Sequence, residues 1–179
     1  MDFSQVKKIT IPEGEVKQIA VGGTVIWKGG PTNLVPLSTE ADGKTIYNGK
    51  GYKDGYRIRS GGAEAAQNAA TCCGFIPAVG GDEIGIGGAV AFDGTTTANA
   101  INVYDSSHTN LGQVVENYAN SGYGIFAGGT ISNWNKGVKR NGCYYWKVPS
   151  GQGIAYVRVT ARMEGNGKNM IVTKNEEIT

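Results

Sequence analysis

The sequence has few cysteines and a single histidine, and this scarcity limits the chemistry that it can carry. Three cysteines, Cys72, Cys73 and Cys143, are too few for a disulfide scaffold, and their odd number leaves at least one thiol unpaired. The chain has no Cys-x-x-Cys pair, and its one histidine is His108, so the usual Cys/His ligand set for zinc is missing. We therefore expect no metal site and no other cofactor.

Long apolar runs and a strong charge of one sign are also missing. No segment approaches the length of about 18 apolar residues that a transmembrane helix requires. The first six residues lack the basic-then-apolar layout of a signal peptide, which predicts synthesis in a reducing cytoplasm without general secretory export. Seventeen basic and 15 acidic side chains are scattered along the chain, with a net charge of +2. We therefore expect neither nucleic acid nor inserted membrane as a partner.

Glycine is what the sequence has in excess, at 29 of 179 positions. Only 5 prolines accompany these glycines and no Gly-X-Y period occurs, which excludes a collagen-like rod. A hydrophobic share of 40% with 18% charged residues is too apolar for a disordered chain. The composition indicates a folded, largely β protein.

Residues 1–28 are predicted to form a small N-terminal β-meander of three strands. The pair Gly22-Gly23 joins two alternating apolar runs, which is typical of a tight hairpin. A piece of this size buries too little surface to be stable alone, so we expect it to dock on another surface. The apolar residues predicted to dock are Ile9, Ile11, Ile19, Val21, Ile26 and Trp27. Residues 29–33, Gly-Gly-Pro-Thr-Asn, read as a linker.

Residues 34–179 are predicted to form an all-β domain, a jelly-roll-like antiparallel β-sandwich, with a barrel as the alternative. Asp-Gly and Asn-Gly turn signals separate its short β-like runs. One helical patch is predicted over Ala63–Ala70, where Ala, Glu and Gln dominate. The predicted strands are Thr45–Tyr47, Tyr56–Arg59, Gly74–Pro77, Glu83–Ile86, Ala100–Tyr104, Leu111–Val115, Gly124–Phe126, Tyr144–Val148, Ile154–Arg162 and Met170–Thr173.

Three short motifs resemble catalytic or redox signatures, and each has a simpler structural interpretation. Asp105-Ser106-Ser107-His108 holds the residue types of a hydrolase triad, but adjacent residues cannot form the relay, so we predict a turn. The glycine run 85–90 lacks the third glycine of a dinucleotide loop and predicts bends or bulges in a sheet. For Cys72-Cys73 we expect one side chain in the core and one near the surface. The sequence thus predicts no catalytic centre.

The aromatic residues are the most suggestive feature. Nine tyrosines and three tryptophans outnumber four phenylalanines, and many lie beside Gly, Asn or Lys, as in Tyr47-Asn48-Gly49. Tyr and Trp combine a flat apolar face with a polar edge, which suits a sugar ring as well as a subunit contact. The side chains predicted to bind a ligand are Trp134, Asn133, Asn135 and Tyr123.

Several segments resemble prophage-encoded structural proteins of Gram-positive bacteria. The opening 6–28 looks like their short N-terminal module, and four later segments are similar to the β-sandwich domain of their tail, baseplate and fibre-like proteins. Those segments are Ile46–Arg57, Gly74–Pro77, Asn102–Ser106 and Asn169–Ile178. The resemblance implies a non-enzymatic virion component with a carbohydrate-binding-like sandwich, present in several copies that assemble as a homotrimer.

The same resemblance implies the partners and the location. Residues 1–28 would attach to other phage structural proteins, and the sandwich would bind a glycan on the host surface. The expected location is the virion, after synthesis in the bacterial host cytoplasm. The alternative is a purely structural capsid or tail decoration protein, in which the aromatic residues serve subunit contacts.

Overall fold

The computed structural model describes residues 18–21, 24–28, 30–44, 46–47, 49–88, 100–117, 123–129, 137–163 and 166–178. The chain divides into two compact units, residues 1–31 together with 179, and residues 32–178. The interpretation of residues 1–28, 29–33 and 34–179 as docking module, linker and sandwich stays a prediction.

The described part of the first unit is a hairpin of two strands, β1 (Gln18–Val21) and β2 (Thr24–Lys28). The strands pair antiparallel, with Val21 opposite Thr24 and Gln18 opposite Lys28. This confirms the hairpin that the Gly-Gly pair predicts. The third predicted strand, at Ile9 and Ile11, lies outside the described residues.

The second unit contains two antiparallel sheets. Their strands are β3 (Tyr52–Ile58), β4 (Glu64–Cys73), β5 (Ile76–Pro77), β6 (Glu83–Gly87), β7 (Ala100–Tyr104), β8 (Asn110–Asn117), β9 (Tyr123–Gly129), β10 (Val138–Arg140), β11 (Cys143–Lys147), β12 (Tyr156–Arg162) and β13 (Ile171–Lys174). The larger sheet has the order β3-β4-β12-β7-β8-β9, with β5 also paired to β12, and the smaller sheet has the order β10-β11-β6-β13. Two short 3-10 helices, Val35–Leu37 and Gly167–Asn169, complete the described elements.

One hydrophobic core lies between the two sheets, as in a sandwich. Successive side chains of a strand point to opposite faces, so Val157 and Val159 of β12 are buried on the same face. They share a core with Ile84 and Ile86 of β6 and with Trp146 of β11. This confirms the predicted all-β antiparallel fold of sandwich type. The jelly-roll connectivity is not confirmed and stays a prediction.

The structure corrects two predicted elements. The helix predicted over Ala63–Ala70 is wrong, because this segment lies in β4, which pairs with β3 and β12. Sheet pairing overrides the local helix propensity of Ala, Glu and Gln. The strand predicted at Thr45–Tyr47 is also wrong, since Ile46 and Tyr47 lie outside every strand and Tyr47 has a φ of 53°. The other nine predicted runs overlap observed strands, whereas β10 has no counterpart among them.

The end of the hairpin formed by β3 and β4 is held by polar side chains of other strands in the same sheet. Ile58 donates its backbone N–H to Thr160 Oγ1 at 3.0 Å and accepts a hydrogen bond from Gln113 Nε2 at 2.8 Å. Asn102 Nδ2 donates to the Arg59 carbonyl at 2.9 Å. Thr160, Gln113 and Asn102 are buried, so these hydrogen bonds satisfy polar groups that would otherwise be costly. They fix the end of the hairpin, where Glu64 begins β4.

The glycines of β6 serve close packing. Gly85 and Gly87 lie inside the regular strand, so the prediction of bends or bulges is wrong for them. It is confirmed for Gly88, which follows the strand in a bend with a φ of 74°. Ala89 and Val90 lie outside the described residues. A Cβ at Gly85 would lie 2.5 Å from Thr173 Oγ1, which leaves no room for a side chain. Across the described ranges of the chain, no helix is long and apolar enough to cross a bilayer.

Candidate functional site

A pocket of about 400 Å³ lies where three neighbouring strands of the larger sheet bring charged side chains together. Lys53 comes from β3, Glu64 from β4 and Arg158 from β12. Tyr47 reaches the pocket from the segment before β3, and Phe75 from the residues between β4 and β5. We call these five residues, Tyr47, Lys53, Glu64, Phe75 and Arg158, the Arg158 cluster.

Arg158 is the buried centre of the cluster, with only 9% of its side chain exposed. Its Nε donates to the Cys73 carbonyl at 3.0 Å, and its Nη2 donates to Tyr47 Oη at 3.1 Å and to Glu64 Oε1 at 2.7 Å. Burial disfavours the guanidinium charge, but the hydrogen bond to Glu64 and nearby groups outweigh burial and raise the pKa of Arg158. A buried charge paired in this way is fixed in position.

Glu64 is the acceptor at the centre of the pocket. Oε1 accepts hydrogen bonds from Tyr47 Oη and from Arg158, and Oε2 accepts one from Lys53 Nζ at 3.0 Å. Burial favours the neutral acid, yet the three donors outweigh burial and lower the pKa of Glu64 to about 2. The carboxyl group is therefore an anion at neutral pH and presents only acceptors.

Tyr47 holds an unusual backbone conformation at the pocket wall. Its φ of 53° lies in the left-handed region, which non-glycine residues rarely adopt and which costs of order 1 kcal/mol or more. Burial, followed by the hydrogen bond to Glu64, raises the pKa of Tyr47 well above its usual value. The hydroxyl therefore stays protonated and donates to the carboxylate.

An aromatic cluster adjoins the pocket through Phe75. The Phe75 ring meets the rings of Tyr104 and His108 edge to face, at centroid distances of 4.8 and 4.5 Å. His108 in turn stacks on Tyr156 at 4.5 Å with an interplanar angle of 22°. His108 and Tyr156 are partly exposed, so the aromatic cluster that begins at Phe75 in the pocket wall ends in an accessible ring pair.

The residues Asp105 to His108 form a turn, as predicted. Asp105 Oδ1 accepts hydrogen bonds from the backbone N–H groups of Ser107 and Thr109, at 2.8 and 2.9 Å. His108 donates its backbone N–H to the Asp105 carbonyl at 3.0 Å. The carboxylate thus organises its own loop, which is a common use of Asp in turns.

The expectation for the vicinal cysteines is half wrong. Both Cys72 and Cys73 are fully buried and reduced, whereas the sequence predicted one of them near the surface. Cys73 packs in the core, and the outer face that holds Cys72 is covered by the groups around Glu64 and Tyr47. Burial raises the pKa of Cys72 to about 12 and that of Cys73 to about 11, so neither is a reactive thiolate. In the ranges that the structure describes, no group of three or more His, Cys, Asp or Glu side chains is placed to hold a metal.

The predicted ligand-binding residues cannot be compared with the pocket. Trp134, Asn133 and Asn135 lie outside the described residues, and Tyr123 begins β9 opposite Asn117, with its side chain outside the description. Of the predicted docking residues, Ile9 and Ile11 are likewise outside. The backbones of the other four lie in the hairpin of the first unit: Ile19 and Val21 in β1, Ile26 and Trp27 in β2. All these assignments stay predictions.

Sequence reasoning missed Glu64 and Arg158. Glu64 lies in the segment Ala63–Ala70, whose composition predicts a helix. A helix would place Glu64 beside other residues than the strand does, so its contacts do not follow from the sequence. Arg158 lies in the middle of the predicted strand Ile154–Arg162, where it alternates with the apolar residues Val157 and Val159. A charged residue at such a position is the signal that the sequence offers. The sequence marks Tyr47 as an aromatic residue with polar neighbours but predicts no role for it.

A second depression, of about 560 Å³, lies on the smaller sheet. Arg140 pairs there with Glu83 at 2.5 Å and stacks on the Tyr145 ring at 3.9 Å. The side chains of Arg140 and Glu83 are 40% and 36% exposed, so water screens this pair. The Arg158 cluster is the better-built candidate because its cation is buried.

No protein-family model, curated protein or solved structure matches this chain.

Proposed function

We propose that this chain is a non-enzymatic component of a bacteriophage tail or baseplate whose sandwich binds carbohydrate on the host surface through the Arg158 cluster. The observation that carries the binding role is the convergence of a buried, fully paired cation, a fixed carboxylate and aromatic rings in one pocket. The phage context rests on the resemblance of the opening 6–28 and of the later segments described above.

The chemistry of the pocket suits a sugar. A sugar ring offers hydroxyl groups that both donate and accept hydrogen bonds, together with apolar C–H faces. Glu64 supplies an acceptor, Lys53 supplies a donor, and Tyr47 and Phe75 supply aromatic surface. Ligand pockets commonly occupy about 300–1,000 Å³. Because the charged groups are already held by one another, binding would order few additional side chains.

The state of Glu64 argues for binding without cleavage. Glycoside hydrolysis needs a carboxylic acid that protonates the leaving oxygen, and such an acid has a raised pKa. The donors around Glu64 lower its pKa to about 2 instead, so it holds no proton to transfer at neutral pH. We expect no hydrolysis of a bound polysaccharide.

Residues 1–28 would attach the sandwich to other phage structural proteins. The hairpin of β1 and β2 has too few strands to be stable in isolation, which supports a docking role. The resemblance favours several copies, as a trimer. Several weak sites displayed together would bind a repetitive surface polymer far more tightly than one site.

Binding to a glycan array and to purified Gram-positive cell-wall polysaccharides tests this proposal. We expect the wild-type chain to bind and Glu64→Gln to lose about tenfold to a hundredfold in affinity, because a hydrogen bond to a charged group contributes about 1.5–3 kcal/mol. The matched control is Glu177→Gln, which changes a carboxylate of the second depression and should bind normally.

Two results would contradict the proposal. One is the absence of binding by the assembled oligomer to any glycan, and the other is unchanged binding by Glu64→Gln. If binding is absent and a reconstruction of the particle buries the Arg158 cluster between subunits, the decoration role would be supported instead.

A further inference from the structure

We propose that the pocket selects an uncharged saccharide through two adjacent hydroxyl groups, one bound by Glu64 Oε2 and the other by Lys53 Nζ. This inference rests on the proposed carbohydrate-binding function. It adds the chemical class of the ligand and names the two atoms that recognise it.

Glu64 can accept one more hydrogen bond than the described part of the chain gives it. A carboxylate offers about four lone-pair positions, two on each oxygen. Oε1 already accepts from Tyr47 and Arg158, whereas Oε2 accepts from Lys53 alone among the described residues. One position on Oε2 is therefore open to a donor, and a sugar hydroxyl is such a donor.

Lys53 keeps N–H donors that can bind a ligand. Its ammonium group carries three N–H donors, and one of them points to Glu64 Oε2. The group also lies 3.6 Å from the centroid of the Tyr56 ring, which holds it over an aromatic face. A further N–H can reach a ligand oxygen without breaking either contact.

The spacing of Lys53 Nζ and Glu64 Oε2 suits two neighbouring hydroxyl groups. Lys53 Nζ and Glu64 Oε2 are 3.0 Å apart, close to the distance between the oxygens of adjacent hydroxyl groups on a sugar ring. The two side chains are 34% and 27% exposed, so a ligand can reach them from solvent. One hydroxyl would donate to Oε2 while its neighbour accepts from Nζ, so each ligand group meets a partner of the right kind.

The charges of the residues that line the pocket disfavour an anionic ligand. Lys53 and Arg158 are the cations that line the pocket, and Glu40 and Glu64 are the carboxylates. The formal charges balance, and both cations already hydrogen-bond Glu64. An anionic sugar would meet the fixed carboxylate and would have to compete with it for Lys53, which disfavours a charged ligand.

The test measures retention of the full chain on immobilised dextran, mannan and galactan, each prepared in three forms. The first form is native. The second is oxidised with periodate, which cleaves the C–C bond between adjacent hydroxyl-bearing carbons, and is then reduced with borohydride, so that the two hydroxyl groups sit on separate, flexible arms. The third is sulfated. We expect retention on at least one native polymer, and a loss of about tenfold or more on its oxidised form, because the two hydroxyl groups are no longer held side by side. Sulfation should weaken retention.

The outcomes separate this inference from the function on which it rests. Retention on the oxidised polymer equal to that on the native one would overturn the inference, and so would tighter binding to the sulfated form. Either result would leave carbohydrate binding intact. Retention on none of the polymers, in any form, would contradict the proposed function together with the inference.

A pair of variants supplies an independent readout. Lys53→Met removes the ammonium donor and keeps most of the unbranched side chain, so it should lower retention on the native polymer about tenfold. Lys168→Met is the matched control, because Lys168 is exposed and does not line the pocket. Equal retention of the two variants would overturn the role of Lys53, and comparable thermal melting shows that both are folded.

Discussion

Replacement of Arg158 by methionine is the sharpest perturbation of the Arg158 cluster. Methionine keeps an unbranched apolar stem but removes the guanidinium, and with it the donors to the Cys73 carbonyl, Tyr47 Oη and Glu64 Oε1. Removing one partner of a fully buried ion pair costs about 3–5 kcal/mol. Because 27% of the Glu64 side chain is exposed, water can solvate part of the carboxylate that is left behind. We expect the free energy of unfolding to fall by about 2–4 kcal/mol.

A double-mutant cycle separates the ion pair from the other contacts of Arg158. Glu64→Gln alone should cost about 1–2 kcal/mol, because it leaves the buried Arg158 without its counter-ion. The cost stays moderate because the amide oxygen can still accept one hydrogen bond and Arg158 keeps its other two acceptors. In the double variant no unpaired carboxylate remains, so the combined cost should be smaller than the sum by about 1–2 kcal/mol. The assay is urea unfolding at neutral pH, followed by tryptophan fluorescence, to which the buried Trp146 contributes.

Arg140→Met is the matched control. Arg140 also pairs with a carboxylate, but its side chain is 40% exposed, and such pairs contribute about 0–1 kcal/mol. A buried ion pair at Arg158 is contradicted if Arg158→Met costs no more free energy of unfolding than Arg140→Met. It is also contradicted if the costs of Arg158→Met and Glu64→Gln add without coupling.

Three further predictions concern the protonation of the cluster, the backbone and the first unit. The folded structure lowers the pKa of Glu64 from 4.5 to about 2, so its contribution to stability is complete above pH 4.5 and is lost as the pH falls toward 2. The wild type should lose about 1–2 kcal/mol of its free energy of unfolding over that interval, a moderate amount because Glu64 is partly solvated. The urea midpoints of wild type and Glu64→Gln should therefore converge as the pH falls. A difference between the two midpoints that stays constant with pH would contradict this. Gly51→Ala should lower the free energy of unfolding, followed by circular dichroism, by about 3 kcal/mol or more, since its Cβ would overlap the Val35 carbonyl. Gly142 has a similar φ but open space around it, so Gly142→Ala should cost about 1 kcal/mol. Equal costs for the two variants would exclude the clash at Gly51. Deletion of residues 1–28 should abolish attachment to the particle and leave a cooperative thermal transition, and an unfolded remainder would contradict the division into two units.

Much of the fold follows from local patterns. The alternation along Ile154–Arg162 and the apolar run Ala100–Tyr104 predict β12 and β7, because one face of each strand must be buried in a shared core. The Gly-Gly pair predicts the hairpin of the first unit. The turn at Asp105 follows from the tendency of an Asp carboxylate to accept hydrogen bonds from backbone N–H groups a few residues later in the chain. In these segments the local sequence and the tertiary structure favour the same conformation.

The segment Ala63–Ala70 shows where local reasoning fails. Its Ala, Glu and Gln residues favour a helix, yet sheet partners on both sides of β4 decide its conformation. The candidate site depended on this same segment, because Glu64 meets Arg158 from 94 residues away in sequence. Pairing between such distant strands cannot be read from a single sequence, so the charged pair at the pocket could not be anticipated.

The most direct test is a crystal structure of the chain with a bound saccharide drawn from the native polymers described above. The account predicts the sugar in the pocket of the Arg158 cluster, with neighbouring hydroxyl groups on Lys53 Nζ and Glu64 Oε2. A sugar bound elsewhere on the sandwich, with these two atoms in contact only with each other, would contradict it.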